Sequence, residues 1–409
     1  MRIPPRWLLC LLLFGATTLC FLDRQVLSVL SPEICQEFQM TEQDYSYVTN
    51  GFLISYALMF FLGGVLIDLL GTRWGLGISV LIWTIASALH AVIRTPFQMG
   101  AARFLLGAGE GGCFPGAAKA AAEWFPQKER ALATGIAIGG ASLGGLIAPP
   151  LTLYLHGYFG WRGAFVATGL FGLAWCLLWF AFYHWAGRPT LETTSPEAKK
   201  EAEESPQTFS WRAVLGLSLG RFLFDPVFYF YMFWIPKYLK QDCGATPEII
   251  ALTGIPFLAM GVTNIIGGVA SDFLVRRGVP VLSARKWVMM AAAGITLASA
   301  FVPLFKGNAY VAIFLMSMLM FGHGFWITNF VAIVSDHFPK NRVATVMGIS
   351  GLVGTIGGLL GNTAIGWVAD NVSFVPVWIV SGLLYPAAFG VILLTIRKGR
   401  KGTYHENRA

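Results

Sequence analysis

Charged residues are scarce in this chain. Asp, Glu, Lys and Arg together make up 12% of its 409 residues, whereas 56% of the residues are hydrophobic. A soluble domain typically carries about 25% charged residues. The shortage of charge therefore excludes an ordinary soluble protein and indicates a polytopic membrane protein.

The chain also lacks recognisable motifs for catalysis or metal binding. It contains no GxxxxGK[ST] segment, so we expect no ATP hydrolysis. Its six cysteines form no CxxC pair and show no metal-ligand spacing. Cys35 and Cys243 fall in predicted loops on the outer side. Packed thiols are the default expectation for these two cysteines, and a disulfide between them is the alternative. Scattered serines and histidines form no nucleophile–base set, so we expect no enzyme activity, no cofactor and no metal.

Long apolar runs, by contrast, are abundant. Twelve of them are long enough to cross a bilayer core of about 30 Å, and they predict an all-α protein with twelve transmembrane helices. The first run follows Arg2 and Arg6 but continues to Leu30 without a small-residue cleavage site, which favours an uncleaved span over a signal peptide. The predicted spans are residues 8–30, 45–69, 74–93, 97–122, 131–156, 162–184, 212–239, 248–274, 286–305, 309–335, 343–367 and 374–396.

The two halves of the chain repeat one another. The segment from Gly64 to Arg73 recurs 204 residues later, and the segment Glu123-Trp-Phe-Pro recurs 213 residues later as Asp336-His-Phe-Pro. A duplicated six-span unit is typical of secondary transporters, whose binding site lies between the repeats. The predicted organisation is an N-terminal six-helix half at residues 1–185, a cytoplasmic linker at 186–210, a C-terminal six-helix half at 211–397 and a cytoplasmic tail at 398–409.

Lysine and arginine are distributed unevenly among the predicted loops. With both termini inside, 20 of the 29 fall on the cytoplasmic side, five on the outer side and four within spans. Cytoplasmic loops of membrane proteins carry the excess of positive charge, so this distribution predicts cytoplasmic termini. The net charge of +8 therefore reflects topology, and we expect a lipid bilayer rather than a nucleic acid as the partner.

Charged residues inside apolar spans indicate a functional site. Arg103 and Glu110 lie seven residues apart in the fourth span, so they share a face and lie roughly 10 Å apart along the axis. Each charge costs at least about 2.5–3.5 kcal/mol at bilayer depth. Asp23 and Arg24 lie at similar depth in the first span, which makes an Asp23–Arg103 pair plausible, either in a site or as structural support. Desolvation would favour the neutral form of Glu110, which leaves one arginine for a substrate anion.

Side chains in three other spans are candidates for substrate contact. The aromatic run of the seventh span either stacks on a sugar ring or forms a lipid-facing girdle. In the same span Arg221 and Asp225 are spaced i,i+4, and we expect them to neutralise each other. The candidates are Tyr56 in the second span, Tyr229 and Tyr231 in the seventh, and Thr328 and Asn329 in the tenth.

A glycine-rich turn with charged residues follows the second span and recurs after the eighth. Its glycines allow close helix approach, and Asp68 can cap a helix and pair with an arginine. The turn is either a gate latch or a structural turn with a satisfied carboxylate. It resembles the loop motif of the major facilitator superfamily, where the motif serves gating. The residues are Gly64, Asp68, Gly71 and Arg73 in the first copy, and Asp272 and Arg276 in the second.

Across nearly its whole length the chain resembles the anion:cation symporter branch of that superfamily, through LDRQVLSVLSPE, RFLLGAGEGGCFPGAAK and EWFPQKERALATG. The resemblance implies a proton-coupled transporter of the bacterial cytoplasmic membrane. It implies that Arg24 binds the substrate carboxylate and that Glu110 carries the coupling proton. It also implies that Asp23, tied to Arg103, is a second protonation site, and that Tyr56 contacts the sugar.

Two more segments, DPVFYFYMFWIPKYL and GFWITNFVAIVSDHFP, resemble the hexuronate transporters of this branch. The resemblance implies a monomeric hexuronate:proton symporter that works by alternating access, with Thr328 and Asn329 at the substrate. Gly140-Ala141 and Ser350-Gly351 stand where aldonate carriers place polar side chains, which counts against galactonate. An aldonate or other organic-anion carrier, an exchanger without proton coupling and a non-transporting sensor stay open as alternatives.

Overall fold

The computed structural model describes residues 4–125, 127–187, 210–338 and 340–396. These residues form helices and turns, and no strand occurs among them, which confirms the predicted all-α fold. Most of the predicted linker and tail lies outside the described residues. The helices are α1 (Pro5–Phe38), α2 (Glu42–Leu89), α3 (Pro96–Glu110), α4 (Cys113–Trp124), α5 (Gln127–Ala186), α6 (Trp211–Asp242), α7 (Pro247–Ala251), α8 (Ile255–Arg276), α9 (Val281–Thr296), α10 (Ala309–His337), α11 (Lys340–Asn371) and α12 (Val375–Thr395), with 3₁₀ turns at His90–Val92, Leu252–Gly254 and Leu297–Phe305.

Two long helices change direction at a glycine and supply two spans each. Gly71 in α2 has φ 75° and Gly160 in α5 has φ 66°, a conformation that glycine adopts without steric cost. Helices α3 and α4 form one span with a short break between them, and α7 joins α8 through a 3₁₀ turn. Counted at these breaks, the described helices supply the twelve predicted spans.

Three pairs of long helices form most of the contact between the first six spans and the last six. Within the first six, α1 packs along α5 and α2 packs along α3; within the last six, α6 packs along α11 and α8 along α10. Across the interface α2 contacts α11, α1 contacts α6 and α5 contacts α8. The turn at residues 39–41 marks the end of the bundle that we call the predicted outer end.

Glycines on the fourth span bring it into direct contact with α2. A Cβ atom at Gly107 would overlap the carbonyl oxygen of Phe52, and one at Gly111 would lie 2.6 Å from Cβ of Met59. Larger side chains therefore cannot occupy these positions without moving the helices apart. This close contact holds the end of α3, whose last residue is Glu110, against α2.

Candidate functional site

Arg24 on α1 and Glu110 on α3 form an ion pair in the interior of the protein. Nε of Arg24 donates to Oε2 of Glu110, and the side chains are 3% and 0% exposed. Cys20, one turn before Arg24, lies against both groups: its Sγ is 3.3 Å from Oε2 of Glu110 and 3.4 Å from Nη2 of Arg24. The structure thus joins the predicted anion-binding arginine directly to the predicted proton carrier.

Three aromatic rings surround the Arg24 guanidinium. Its central carbon lies 4.9 Å from the ring centroid of Phe21, 5.2 Å from that of Phe52 and 4.5 Å from that of Tyr56. Cation–π contacts of this kind stabilise a desolvated cation by about 2 kcal/mol. The rings hold the guanidinium plane in place beside Glu110.

The predicted ion pair between Asp23 and Arg103 is wrong. No salt bridge joins them among the described residues; Oδ1 of Asp23 instead accepts a hydrogen bond from Oγ of Ser87 at 3.0 Å. Arg103 lies near enough to Asp23 to interact with it electrostatically, and its Nη1 donates to the Arg24 carbonyl oxygen at 3.5 Å. Similar depth along two helices did not fix which way the side chains extend, and Arg24 reaches the carboxylate of α3.

Several buried polar atoms around this pair have no hydrogen-bond partner among the described residues. They belong to four side chains of the first six spans, each at most 1% exposed. Buried polar groups are normally satisfied by protein or by water. A cluster of unsatisfied donors and acceptors is therefore suited to a polar ligand, an exchanging proton or internal water. The atoms are Oδ2 of Asp23, Nε2 of His90, Nε and Nη2 of Arg103, and Oε1 of Glu110.

Tyr229 on α6 is the predicted contact residue of the second half that approaches this site. Its hydroxyl lies in the neighbourhood of the charged side chains of Arg24 and Asp225, and its ring stacks on Phe233 with centroids 6.1 Å apart. Since α6 belongs to the last six spans, Tyr229 brings the opposite half to the Arg24–Glu110 pair.

The other three predicted contact residues point into helix–helix packing in this conformation. The hydroxyl of Tyr231 donates to Oγ of Ser299 at 3.3 Å. Thr328 donates to the carbonyl oxygen of Asn264 at 2.9 Å, and Asn329 donates to the backbone of α8 and of its own helix. The structure does not bring these side chains to Arg24, because their hydrogen bonds tie α10 to α8 and α6 to the neighbouring 3₁₀ turn.

An amide cluster near the predicted outer end joins the two halves and was missed by the sequence analysis. Nδ2 of Asn362 on α11 lies 2.7 Å from Oγ1 of Thr49 and 2.8 Å from Oδ1 of Asn50, both on α2. Nε1 of Trp234 on α6 donates to Oδ1 of Asn362 at 2.7 Å. Asn362 is 1% exposed. A fully buried amide in an apolar helix is a signal of function that could have identified it.

A buried lysine lies beside this amide cluster. Nζ of Lys237 is 2.5 Å from Oε2 of Glu42 and 3.3 Å from Sγ of Cys35, and only 1% of the lysine is exposed. The carboxylate of Asp370 accepts hydrogen bonds from the backbone amides of Glu42 and Gln43, both at 2.8 Å. Cys35, placed in a loop by the sequence analysis, lies inside α1 and is a free thiol, as is Cys243. These contacts close the predicted outer end between the halves.

Comparison with known families agrees with this architecture. The model of the Major Facilitator Superfamily matches residues 13–362 and matches again over residues 217–408. The chain belongs to the Major Facilitator Superfamily. The second match over the last six spans agrees with the internal repeat seen in the sequence.

Curated relatives with known names align with this chain over nearly its whole length. The chain is 29% identical over 391 residues to the hexuronate transporter of Escherichia coli (strain K12), covering 92% of this chain and 90% of that one. It is 27% identical over 413 residues to the D-galactonate transporter of Escherichia coli O6:H1, covering 95% of each. A crystal structure of a bacterial homologue of the human lysosomal transporter Spinster, in an inward-facing and occupied conformation, aligns with a TM-score of 0.74 at 18% identity, over 97% of this chain and 96% of that one.

The superfamily's loop motif has a different ion pair from the predicted one. Asp68 pairs with Lys119 on α4, at 2.8 Å, rather than with an arginine. Gly71 provides the positive-φ turn, and Arg73 lies with its guanidinium over the ring of Trp74. The prediction was wrong because Lys119, which the sequence places at the end of its own span, reaches across to α2.

In the second copy of the motif the acidic residue does pair with an arginine, which belongs to the next helix. Asp272 pairs with Arg285 on α9, at 2.8 Å. Arg285 also lies 3.3 Å from Asp336, the acidic residue of the second repeated segment. In both copies the acidic residue therefore binds a cation from a different helix, which links helices at the predicted cytoplasmic end.

Proposed function

We propose that this protein is a proton-coupled symporter that imports a sugar-acid anion, a hexuronate in the first place, by alternating access between its two halves. The buried Arg24–Glu110 pair is the observation that supports this most strongly. Arg24 binds the substrate carboxylate, Glu110 carries the coupling proton, and Asp23 is a second protonation site. Tyr56 and Tyr229 contact the sugar from opposite halves.

The mechanism follows from competition for one guanidinium. Without substrate, Glu110 accepts the hydrogen bond from Nε of Arg24. A proton on Glu110 removes its charge and weakens that bond, so the planar fork of Arg24 becomes available to a substrate carboxylate. The pair is electrically neutral in both states: Arg24 with ionised Glu110, or Arg24 with the substrate while Glu110 is protonated. A neutral site is less costly to move through a low-dielectric interior than a charged one.

The other parts of the structure fit this cycle. Arg103 supports the site electrostatically through Asp23 and the Arg24 backbone. The Asn362 and Lys237 contacts close the predicted outer end, and the Asp68–Lys119 and Asp272–Arg285 pairs act as latches at the predicted cytoplasmic end. We place the chain in a bacterial cytoplasmic membrane, with cytoplasmic termini, as a monomer. Thr328 and Asn329 are proposed to reach substrate only in another conformation.

An aldonate is the second candidate substrate, because a named relative of similar overall identity is a D-galactonate transporter. Aldonates and hexuronates share the carboxylate that Arg24 is proposed to bind and differ at the other end of the molecule. The Gly140-Ala141 and Ser350-Gly351 positions lack polar side chains apart from Ser350, whose hydroxyl donates to its own helix at 3.1 Å. This favours the hexuronate.

A binding experiment on purified protein tests the proposal. A thermal-shift panel of galacturonate, glucuronate, galactonate and gluconate identifies the substrate class, and a pH indicator in weak buffer measures proton uptake on binding. We expect hexuronates to stabilise the protein most and to cause proton uptake that Glu110→Gln removes or strongly reduces. Stabilisation by aldonates alone would select the second candidate, and binding without proton uptake would indicate an exchanger. No response to any of these acids would contradict the proposal.

A further inference from the structure

A buried histidine near the predicted outer end has no part in the mechanism proposed above. His90 begins the 3₁₀ turn that follows α2, and it is fully buried. Its ring stacks on Phe165 of α5, with the centroids 4.6 Å apart and the planes 12° apart. Nδ1 lies 2.7 Å from the carbonyl oxygen of Ala86, which can only accept, so Nδ1 carries the hydrogen of this bond. In the neutral ring Nε2 is therefore an acceptor, and it has no hydrogen-bond partner among the described residues.

Arg103 has the donors that complement this acceptor. Its guanidinium is the charged group next to His90, and its central carbon lies 5.8 Å from the centroid of the same Phe165 ring. Nη1 donates to the carbonyl oxygen of Arg24 at 3.5 Å, whereas Nε and Nη2 have no partner in the part of the chain that the structure describes. Since Nε has one N–H group and Nη2 has two, three buried donors are left in the neighbourhood of His90.

Asp23 provides a second acceptor beside the same arginine. Its Oδ1 accepts from Oγ of Ser87 at 3.0 Å, while its Oδ2 has no partner within the described ranges. Arg103 also lies in the neighbourhood of Asp23. Ser87 precedes His90 by one helical turn, so the levels of Asp23 and His90 differ by about 5 Å. One or two water molecules span such a step, because an O–H···O hydrogen bond is about 2.7–2.8 Å long.

The charges and the mixture of donors and acceptors favour water over an ion. Arg103 and Asp23 carry opposite charges, so the group has no net charge that would attract an anion or a cation. Helix α5 contributes the ring of Phe165 and the hydroxyl of Thr168, neither of which is charged; the hydroxyl lies 3.1 Å from Oγ of Ser87. A water molecule both donates and accepts, and buried waters typically make about three hydrogen bonds to otherwise unsatisfied polar groups. Water bound at Arg103 can therefore serve both acceptors.

His90 is the member of this group that lies nearest to the predicted outer end. Nη2 of Arg162 is 2.8 Å from Oε1 of Glu37, near the end of α1, and 3.5 Å from the carbonyl oxygen of Ile93. The turn that begins at His90 therefore lies at the same end as the turn at residues 39–41. Since Ile93 comes three residues after His90, about one helical turn separates the imidazole from this end.

We propose that water bound between Arg103, Asp23 and His90 connects Asp23 to the predicted outer end, and that His90 passes protons into this water. The inference rests on the function proposed above, in which Asp23 is a protonation site. A proton from water at that end binds Nε2 of His90, while Nδ1 keeps its own proton in the hydrogen bond to Ala86. The imidazolium gives the Nε2 proton to the bound water, which gives one of its own protons to Oδ2 of Asp23. His90 and the water end neutral and Asp23 ends as a carboxylic acid, so one proton has moved inward.

Replacement of His90 separates proton entry from substrate exchange. In His90→Gln an amide that cannot carry a proton replaces the imidazole, and His90→Phe keeps a ring against Phe165 but removes both nitrogens. His156→Gln is the matched control, because His156 is a partly exposed histidine that pairs with Glu33 at 2.5 Å, away from Arg103. Proteoliposomes with each purified protein are assayed for galacturonate uptake driven by an imposed pH gradient, acid outside. The same proteoliposomes are assayed for exchange of external for internal galacturonate at equal pH.

We expect both His90 variants to lose at least about tenfold in the initial rate of gradient-driven uptake, the lower end of what a positioned proton-transfer group contributes. Exchange should stay within about threefold of the wild-type rate, because the carrier keeps its proton during exchange. Lowering the outer pH by about one unit should restore part of the lost uptake, since protons then reach Asp23 more often without His90. The control should match the wild-type protein in both assays.

Equal loss of uptake and exchange in both variants would show a structural histidine and overturn the inference. Uptake at the wild-type rate in either variant would overturn it as well. If His90→Gln does not fold, as thermal melting shows, the ratio of uptake to exchange in His90→Phe decides. If the wild-type protein does not accumulate galacturonate under the gradient, the proposed function fails and the relay fails with it.

Discussion

Arg24 on α1 holds Glu110 on α3 through Nε, with both side chains shielded from solvent by aromatic and sulfur-containing neighbours. Removing one member of such a buried pair is expected to cost about 3–5 kcal/mol, because the remaining charge is left uncompensated. In the proposed mechanism an anion bound to Arg24 takes the place of Glu110, so the carboxylate of Glu110 is neutralised by a proton at the same time. This coupling between anion and proton is the centre of the proposed mechanism.

Replacement of Arg24 tests the anion-binding role. The variant Arg24→Gln/Glu110→Gln leaves no unpaired buried charge, so it separates binding from folding. We expect binding of any sugar acid to weaken at least about thirtyfold, corresponding to about 2 kcal/mol or more for a lost charged contact. Calorimetry measures the loss, and an unchanged melting temperature shows that the protein is folded. Affinity within about threefold of Glu110→Gln alone would remove Arg24 from the site.

Replacement of Asn362 tests the closure at the predicted outer end. Asn362→Leu removes hydrogen bonds to α2 and α6, each contributing about 0.5–1.5 kcal/mol. We expect the state that is open at this end to gain population. The reporter is Ser28→Cys in a Cys243→Ser background. In intact cells this thiol should react about tenfold faster with an impermeant maleimide when Asn362 is replaced. Asn371→Leu is the control, since Asn371 bonds only its own helix among the described residues. Equal labelling of the two variants would show that Asn362 does not close this end.

Exchanging the charges of Asp68 and Lys119 tests the proposed latch at the predicted cytoplasmic end. Asp68 and Lys119 are 73% and 25% exposed, so Asp68→Asn should change the free energy of unfolding by less than about 1 kcal/mol. We expect the transport rate to fall several-fold even so, because the pair links α2 to α4 and is proposed to act as a latch in the transport cycle. The exchange Asp68→Lys/Lys119→Asp should restore much of the rate. A single variant with wild-type transport would make the pair dispensable.

The contact between α3 and α2 at Gly107 can be tested by comparing Gly107→Ala with the same substitution at a glycine that has no close neighbour. In Gly107→Ala the new methyl group overlaps Phe52, so we expect a loss of about 1–3 kcal/mol in the free energy of unfolding and weaker substrate binding as Glu110 shifts. Nothing lies within 4 Å of a Cβ atom at Gly139, and Gly139→Ala should be neutral or stabilising. Thermal melting and calorimetry compare the two. Identical behaviour would show that the α2–α3 contact tolerates a methyl group.

The sequence allowed the twelve spans, the repeat and the depth of the buried charges to be predicted. Apolar length and spacing along a helix carry this information directly. Asp23, Arg24, Arg103 and Glu110 were predicted to lie together, and the structure brings them together.

Which side chains pair across helices could not be predicted. Helices that are apolar on all faces carry no amphipathic signal that fixes their rotation. For this reason the sequence analysis expected a pair between Asp23 and Arg103, whereas the structure pairs Arg24 with Glu110. It also did not identify Lys119 as the partner of Asp68. The same uncertainty applies to Thr328 and Asn329, whose hydrogen bonds turn toward α8.

Uptake of hexuronate into proteoliposomes under an imposed pH gradient, acid outside, tests the central claim most directly. Wild-type protein should accumulate the acid above its equilibrium level. Glu110→Gln should abolish that accumulation while still exchanging external for internal substrate, because its neutral side chain imitates the protonated state. Accumulation by Glu110→Gln at the wild-type level would contradict the role of Glu110 as the coupling residue.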